Sequence, residues 1–127
     1  MSYKIGKFAQ LVNISIDTLR YYEKMQLIIP KRDKNNLRIY DYRDVEWIKF
    51  IKRLKATGMS IKNIQIYAKL RYQGDSTIDQ RLHLLYGQKN ILKTKQEKLQ
   101  SNIDFLNHKI GVYQKMKNKI INKNKKI

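Results

Sequence analysis

The segment Asn13-Ile14-Ser15-Ile16-Asp17-Thr18-Leu19-Arg20-Tyr21-Tyr22-Glu23 contains a turn, a helix start and the outer face of that helix in one run. Asn is among the few residues that accept the left-handed backbone, so Asn13-Ile14-Ser15 reads as a tight turn. Ser15 is a good N-cap, and Asp17 sits in the first turn, where the helix dipole favours an acid. The spacing predicts a helix over 16–25. Upstream, Ile5, Phe8, Leu11 and Val12 recur at helical spacing and predict a helix over 6–12. Two short helices about three residues apart make a helix-turn-helix, a pattern that many small helical proteins share.

Downstream, the single proline, Pro30, ends this first part. Residues 30–42 carry a turn signal, Asn35-Asn36, followed by the alternation Leu37-Arg38-Ile39-Tyr40. This predicts a small two-stranded hairpin with basic residues at its tip and edge. Asp41 then caps a third helix over 42–57, with Asp44 three residues on. Its apolar stripe is Val45, Ile48, Ile51 and Leu54, widened by Trp47 and Phe50. Gly58 ends it. Ser60 caps a fourth helix over 61–72, with Ile61, Ile64, Tyr67 and Ala68 on one face, and Gly74-Asp75-Ser76 breaks it.

From residue 77 the pattern becomes a heptad. Ile78, Leu85, Leu92, Leu99, Leu106, Tyr113 and Ile120 repeat every seven residues without a miss. The companion series, Leu82, Lys89, Gln96, Ile103, Ile110 and Lys117, is half polar. A sustained repeat of this kind signals a coiled coil. At ~1.5 Å per residue the helix would span ~65 Å. A single amphipathic helix of that length cannot bury its seam in a small domain, so a partner chain is expected. The fold class is therefore mainly α. A winged helix-turn-helix domain is expected over 1–75, a dimerising coiled-coil helix over 76–120 and a flexible lysine-rich tail over 121–127.

The charge balance narrows the function. The 127 residues carry 28 Lys and Arg against 10 Asp and Glu, a net charge of +18. Such an excess points to a polyanion, most often nucleic acid and less often an anionic membrane. AT-rich coding inflates Lys, Ile and Asn, all abundant here, but does not by itself suppress acids. There is no cysteine, which removes disulfides, zinc fingers and thiol chemistry. No apolar run approaches the ~20 residues of a membrane span. The start, Met1 to Lys7, lacks the apolar stretch of a signal peptide, so a cytoplasmic location with no membrane partner is expected. His83 and His108 lie ~37 Å apart on one predicted helix and share no metal within a chain. No Ser-His-Asp set, paired carboxylates or glycine-rich phosphate loop stands out, so no catalytic, metal or cofactor site is expected, and no enzyme.

Several motifs together resemble the MerR family of bacterial transcription regulators. They are Ile5-Gly6, Val12 to Ser15, Thr18 to Glu23, Leu27-Ile28-x-Pro30, Arg38-x-Tyr40 and Leu54-Lys55-x-x-Gly58-Met59-Ser60. The resemblance covers residues 3–120. It implies a homodimer joined by an antiparallel coil through Ile78, Leu82, Leu85, Leu92, Leu99, Ile103, Leu106, Ile110 and Tyr113. It implies double-stranded promoter DNA as partner, with Ser15, Asp17, Thr18, Arg20 and Tyr21 of the second helix at the major groove. Tyr22 is expected to pack inward. Lys31, Arg38 and Tyr40 would hold the wing to the backbone, with Arg32 and Lys34 as further phosphate contacts, and Lys55 would press on the central duplex. Activation would come from bending and untwisting an overlong promoter spacer, which reaches RNA polymerase only through the promoter. An effector-independent repressor, an architectural DNA-binding protein and a basic coiled-coil adaptor remain open on the residues alone.

Within the family, Trp47-Ile48-x-Phe50-Ile51-Lys52 resembles the branch that senses aldehyde or nitrosative stress through one cysteine. Arg53 stands at that position, so thiol sensing is not expected. The cysteines of the metal-responding branch are missing as well, and where the drug-binding branch has a ligand domain only a lysine-rich stretch is found. Gln26 replaces the usual glycine, so the end of the second helix should be strained or reshaped. The heptad itself is testable. Replacing both Ile103 and Ile110 by Lys would set like charges in the seam and is expected to give a monomer in sedimentation. A dimer that survives would contradict the assigned register.

Overall fold

Asn13 adopts φ 53° and ψ 50°, closing α1 (Ile5–Val12) with the left-handed turn that its short polar side chain tolerates. The computed structural model that shows this describes residues 1–125. Three residues on, α2 (Ile16–Lys24) begins, and the Ser15 hydroxyl accepts the Thr18 N–H at 3.1 Å. The wing is minimal. β1 (Lys31–Arg32) and β2 (Arg38–Ile39) run antiparallel, with Lys31 opposite Ile39 and Arg32 opposite Arg38. The hairpin tip is organised by Asp33, whose carboxylate accepts the N–H groups of Asn35 and Leu37 at 2.9 and 3.0 Å. Asn36 supplies the positive φ of 62° that the turn needs.

An isolated two-stranded hairpin is marginal in water, and two further contacts extend this one. Tyr3 and Tyr40 exchange backbone hydrogen bonds of 2.7 and 2.8 Å. Lys4 donates to Asp33 from the same N-terminal segment. α3 (Tyr42–Ala56) then starts with a full capping box between Asp41 and Asp44. Gly58 takes φ 85°, and α4 (Ile61–Gln73) begins where the Ser60 hydroxyl accepts the Asn63 N–H. A short 3₁₀ turn (Asp75–Thr77) leads into α5 (Ile78–Lys125).

The core lies among α1 to α4. Phe8, Leu19, Leu27, Ile28, Ile48, Ile51 and Ile64 are fully buried, and Trp47 and Tyr67 stack beside them. The Trp47 indole N–H donates to the Leu27 carbonyl at 2.7 Å, so the linker after α2 is tied to α3.

The first compact unit is Met1–Gln88 and the second is Lys89–Ile127. The first unit thus runs past the boundary at 75 that the sequence suggests. The glycine-led break at 74 does not end the packing. The Thr77 hydroxyl donates to the Leu70 carbonyl at 2.6 Å, Leu84 and Leu85 pack on the core, and Gln88 Nε2 donates to the Thr57 carbonyl at 2.7 Å. Leu85 is therefore half-buried on its own unit. In the second unit the helix continues through Lys125 rather than stopping at 120, because no Gly or Pro follows Gly111 to break it. Of the expected tail, residues 126–127 lie outside the described residues.

The end of α2 shows the consequence of Gln26. This residue holds φ 62°, with its N–H on the Glu23 carbonyl and the Leu27 N–H on the Tyr22 carbonyl, both at 2.9 Å. The left-handed turn is retained although glycine is absent, at about 1 kcal/mol of backbone strain. Gln26→Gly is expected to stabilise the protein by about 1 kcal/mol, read as a higher denaturant midpoint at unchanged slope. A lower midpoint would show that the side chain, not the backbone, decides this position.

Candidate nucleic-acid interface

The second helix of a helix-turn-helix presents an outer face, and on α2 that face carries Asp17, Arg20, Tyr21 and Lys24, all exposed. Arg20 reaches Asp17 only at 3.7 Å, and more than half of its side chain is open to solvent. An exposed pair of this kind contributes little, so the guanidinium is available to an outside acceptor. Thr18 is half-buried, and its Oγ1 receives the Ser15 hydroxyl at 2.8 Å. Ser15 thus serves first as the cap of the helix. Tyr22 is buried, as its inward position requires.

Glu23 turns the other way, toward the wing. Its Oε2 accepts Arg38 Nε at 2.6 Å and its Oε1 accepts an Arg32 guanidinium N–H at 3.0 Å. One carboxylate thereby clamps both strands of the wing to α2. Charge-assisted bonds of this kind are the strong ones, and the low exposure of Glu23 and Arg38 keeps them from being screened away. Lys4, Arg20, Arg32 and Arg38 line a concavity of about 520 Å³ between α2 and the hairpin, together with Asn36 and Leu37. No acid is among its lining residues, although Lys4 is paired with Asp33 and both Arg32 and Arg38 with Glu23.

Tyr40 departs from the sequence expectation. Its ring stacks on Phe8 with centroids 4.0 Å apart and planes 3° from parallel, and the residue is 1% exposed. It cannot grip a phosphate without leaving the core: Tyr40 is a core residue and not the backbone contact that the sequence suggests. Residues i and i+2 of a strand share a face, and in β2 that face points inward, carrying Arg38 to Glu23 and Tyr40 to Phe8. The Tyr40 hydroxyl has no hydrogen-bond partner among the described residues, and burial pushes its pKa above the ordinary phenol value. The Lys4 ammonium that donates to Asp33 holds that carboxyl below its ordinary value, with the Leu37 N–H acting in the same direction.

Lys55 stands at the far end of α3, where its ammonium donates to the Tyr22 hydroxyl at 3.2 Å and lies 5.3 Å from that ring's centre. It is exposed but aimed. Lys52 is held as well, on the Val12 carbonyl at 3.1 Å. Lys31 and Lys34 are exposed on the wing. Sequence reading missed Lys4 and the organising role of Glu23. Lys4 arrives only through the Tyr3–Tyr40 bridge, and nothing local announces it. Glu23 was visible as part of a motif, but its partners lie 9 and 15 residues away.

On α5, Ile78, Leu82, Leu92, Leu99, Ile103, Leu106, Ile110 and Tyr113 are exposed, with Ile91 and Phe105 beside them one residue ahead of the repeat. His83 and His108 are exposed too. Among the described residues, no group of three or more His, Asp or Glu could hold a metal ion, and no helix is long and apolar enough to cross a membrane.

Comparison with known proteins places these features in company. The profile of the MerR HTH family regulatory protein matches residues 3–70, and that of the MerR DNA-binding region matches residues 45–109. An HTH-type transcriptional regulator of Haemophilus influenzae is 37% identical over 119 residues, which are 92% of this chain and 87% of the relative. The transcriptional regulator AdhR of Bacillus subtilis is 39% identical over 82 residues, 64% of this chain and 59% of AdhR. Among solved structures, HiNmlR, a MerR family regulator lacking the sensor domain and bound to promoter DNA, aligns with a TM-score of 0.72 at 36% identity. The alignment covers 92% of this chain and 94% of that one. A MerR-family transcriptional regulator from Listeria monocytogenes aligns with a TM-score of 0.74 at 31% identity, covering 88% and 86%.

The clamp on the wing gives a direct test. Glu23→Gln leaves two neighbouring guanidinium groups without their carboxylate. A loss of about 1–2 kcal/mol in unfolding free energy is expected, discounted for partial exposure, together with faster amide exchange in residues 31–39. Unchanged exchange in the hairpin would show that the Tyr3–Tyr40 bridge alone holds it.

Proposed function

Because this chain belongs to the MerR family and is a DNA-binding transcription regulator rather than an enzyme, we propose that it acts as a homodimer that distorts promoter DNA. The observation that carries this reading is the joint presentation of an open Arg20 and Tyr21 on α2 and a wing clamped to that helix through Glu23. A rigid pair of elements can sit in a major groove and on the flanking backbone at once without the ordering cost that an independently moving wing would carry. The alignment with HiNmlR over nearly its whole length supports promoter DNA as the partner.

In this proposal each protomer covers one half-site. Arg20 reads a base edge or binds phosphate, Tyr21 packs on the sugar-phosphate backbone, and Ser15, Asp17 and Thr18 lie at the entry of the helix into the groove. Lys31, Arg32 and Lys34 of the wing follow the flanking phosphates, and Arg38 supports them from its bond to Glu23. The exposed apolar series on α5 pairs with that of a second copy in an antiparallel coil. The coil supplies the spacing between half-sites. Lys55, steadied by Tyr22, bears on the centre of the duplex. The regulator works in the cytoplasm and reaches RNA polymerase through the shape of the promoter.

Binding and activation should then separate by residue. Arg20→Ala is expected to cost about 1–3 kcal/mol of operator affinity and to relax sequence preference at one position per half-site. Lys55→Ala is expected to keep most affinity but lose run-off transcription from a promoter with an overlong spacer. Normal activation by Lys55→Ala would replace the distortion mechanism with simple repression or architectural binding. Equal retention of operator and unrelated DNA at moderate salt would reduce the protein to a basic adaptor.

A further inference from the structure

A groove of about 750 Å³ runs between α4 and the linker that joins α2 to β1, within the range typical of small-molecule sites. Its walls bring together Ile29, Ile66 and Tyr72, all of them exposed large apolar residues. Lys62 and Lys69 flank Ile66 on α4, and no acidic residue lines the groove. Neither lysine joins an ion pair among the described residues. Lys69 lies one helical turn from Gln65, Ile66, Tyr72 and Gln73, next to more of the lining than Lys62, which neighbours only Gln65 and Ile66.

The same groove is built onto the linker that sets α2 against the wing. Gln65 Nε2 donates to the Met25 carbonyl at 3.0 Å, and the Tyr72 hydroxyl accepts the Ile29 N–H at 3.0 Å. Between these two ties, Gln26 holds its left-handed φ of 62° and contributes to the lining. Burial raises the Tyr72 pKa, so the phenol keeps its proton, and that proton has no acceptor among the described residues. A ligand lying here touches both ends of the linker through Gln26 and Ile29.

We propose that this groove binds a small amphipathic organic anion, its apolar body on Ile29, Ile66 and Tyr72 and its one anionic head on Lys69, and that occupancy alters operator affinity through residues 25–29. Charge complementarity selects the anion, and the apolar lining selects the body over inorganic phosphate. The chain has no cysteine, so a signal reaching this site would not act through a thiolate. The coupling to operator affinity rests on the DNA-binding reading above, whereas the site itself does not.

The test uses the full-length protein and two probes, anilinonaphthalene sulfonate and its uncharged counterpart phenylnaphthylamine. The readouts are the methyl resonances of Ile29 and Ile66 and the retention of a duplex from the promoter beside its own coding sequence. Both probes are expected to shift these methyls saturably, with the sulfonate about tenfold tighter, as one charge-assisted contact implies. Lys69→Gln should erase that advantage, Ile66→Glu should abolish both titrations, and the sulfonate should change duplex retention severalfold. Shifts confined to α5 methyls would overturn the proposal. So would a monomer produced by Ile66→Glu, which would show that a second copy fills the groove. Weaker duplex retention by Lys69→Gln without probe would assign this lysine to phosphate and likewise overturn it. If the free protein does not retard the duplex at all, the regulator reading fails, while the Ile29 and Ile66 titrations still decide the groove.

Discussion

The carboxylate of Glu23 is the point on which the placement of the wing against α2 depends. Two strands of two residues each have too few ladder bonds to hold a position by themselves. They are fixed because Glu23 accepts from Arg38 on one strand and Arg32 on the other. Glu23 belongs to α2, so the direction of the wing is referred to the helix that would enter the groove. The other supports, the Tyr3–Tyr40 bridge and the Lys4–Asp33 pair, come from the N-terminal segment. They hold the hairpin's inner edge and tip but do not relate it to α2.

The linker between α2 and β1 is governed in the same way by groups from elsewhere. The Leu27 carbonyl takes the Trp47 indole, the Met25 carbonyl takes Gln65, and the Ile29 N–H reaches Tyr72. Three polar groups of a short connection are thus satisfied by α3 and α4 rather than by a local ladder, which leaves the strained turn at Gln26 no room to relax. α3 and α4 therefore act as a frame. Their caps at Asp41 and Ser60 and the apolar stripe of α3 fix where Trp47, Gln65 and Tyr72 stand. Those side chains in turn fix the step from α2 to the wing.

Much of this architecture was legible in the residues because it is signalled locally. Asn13, Ser15, Asp41 with Asp44, Ser60 and Gly74 each carry a conformational preference that acts within a few residues, and each marks a real boundary. The features that were not legible depend on contacts distant in sequence. Alternation in Arg38-Ile39-Tyr40 shows that Arg38 and Tyr40 share a face, but not that the face is the inner one. That depends on Phe8, 32 residues upstream of Tyr40. The extent of the first unit was hidden for the same reason. Leu85 fits a heptad, yet its neighbour Gln88 finds the Thr57 carbonyl and Leu85 itself meets the core before any coil partner is needed. A seven-residue repeat records which face of a helix is apolar and is silent on what covers it.

The charge distribution sharpens the proposed mode of binding. A net +18 raises affinity for any duplex, because each neutralised phosphate releases counterions whatever the sequence. Specificity has to come from few groups held in fixed geometry, and the wing cluster shows how the two demands divide. Arg32 and Arg38 together carry two positive charges, and Glu23 cancels one of them. Next to a phosphate this cluster contributes less to the salt-dependent attraction than two free arginines would. It gains instead in geometry, because both guanidinium groups are already immobilised before DNA arrives and little side-chain entropy is left to lose. Arg20 is the converse case, since its weak, exposed link to Asp17 leaves nearly the whole charge available. In the proposed complex the open arginine supplies charge to its acceptor, while the clamped pair sets the angle at which α2 meets the groove.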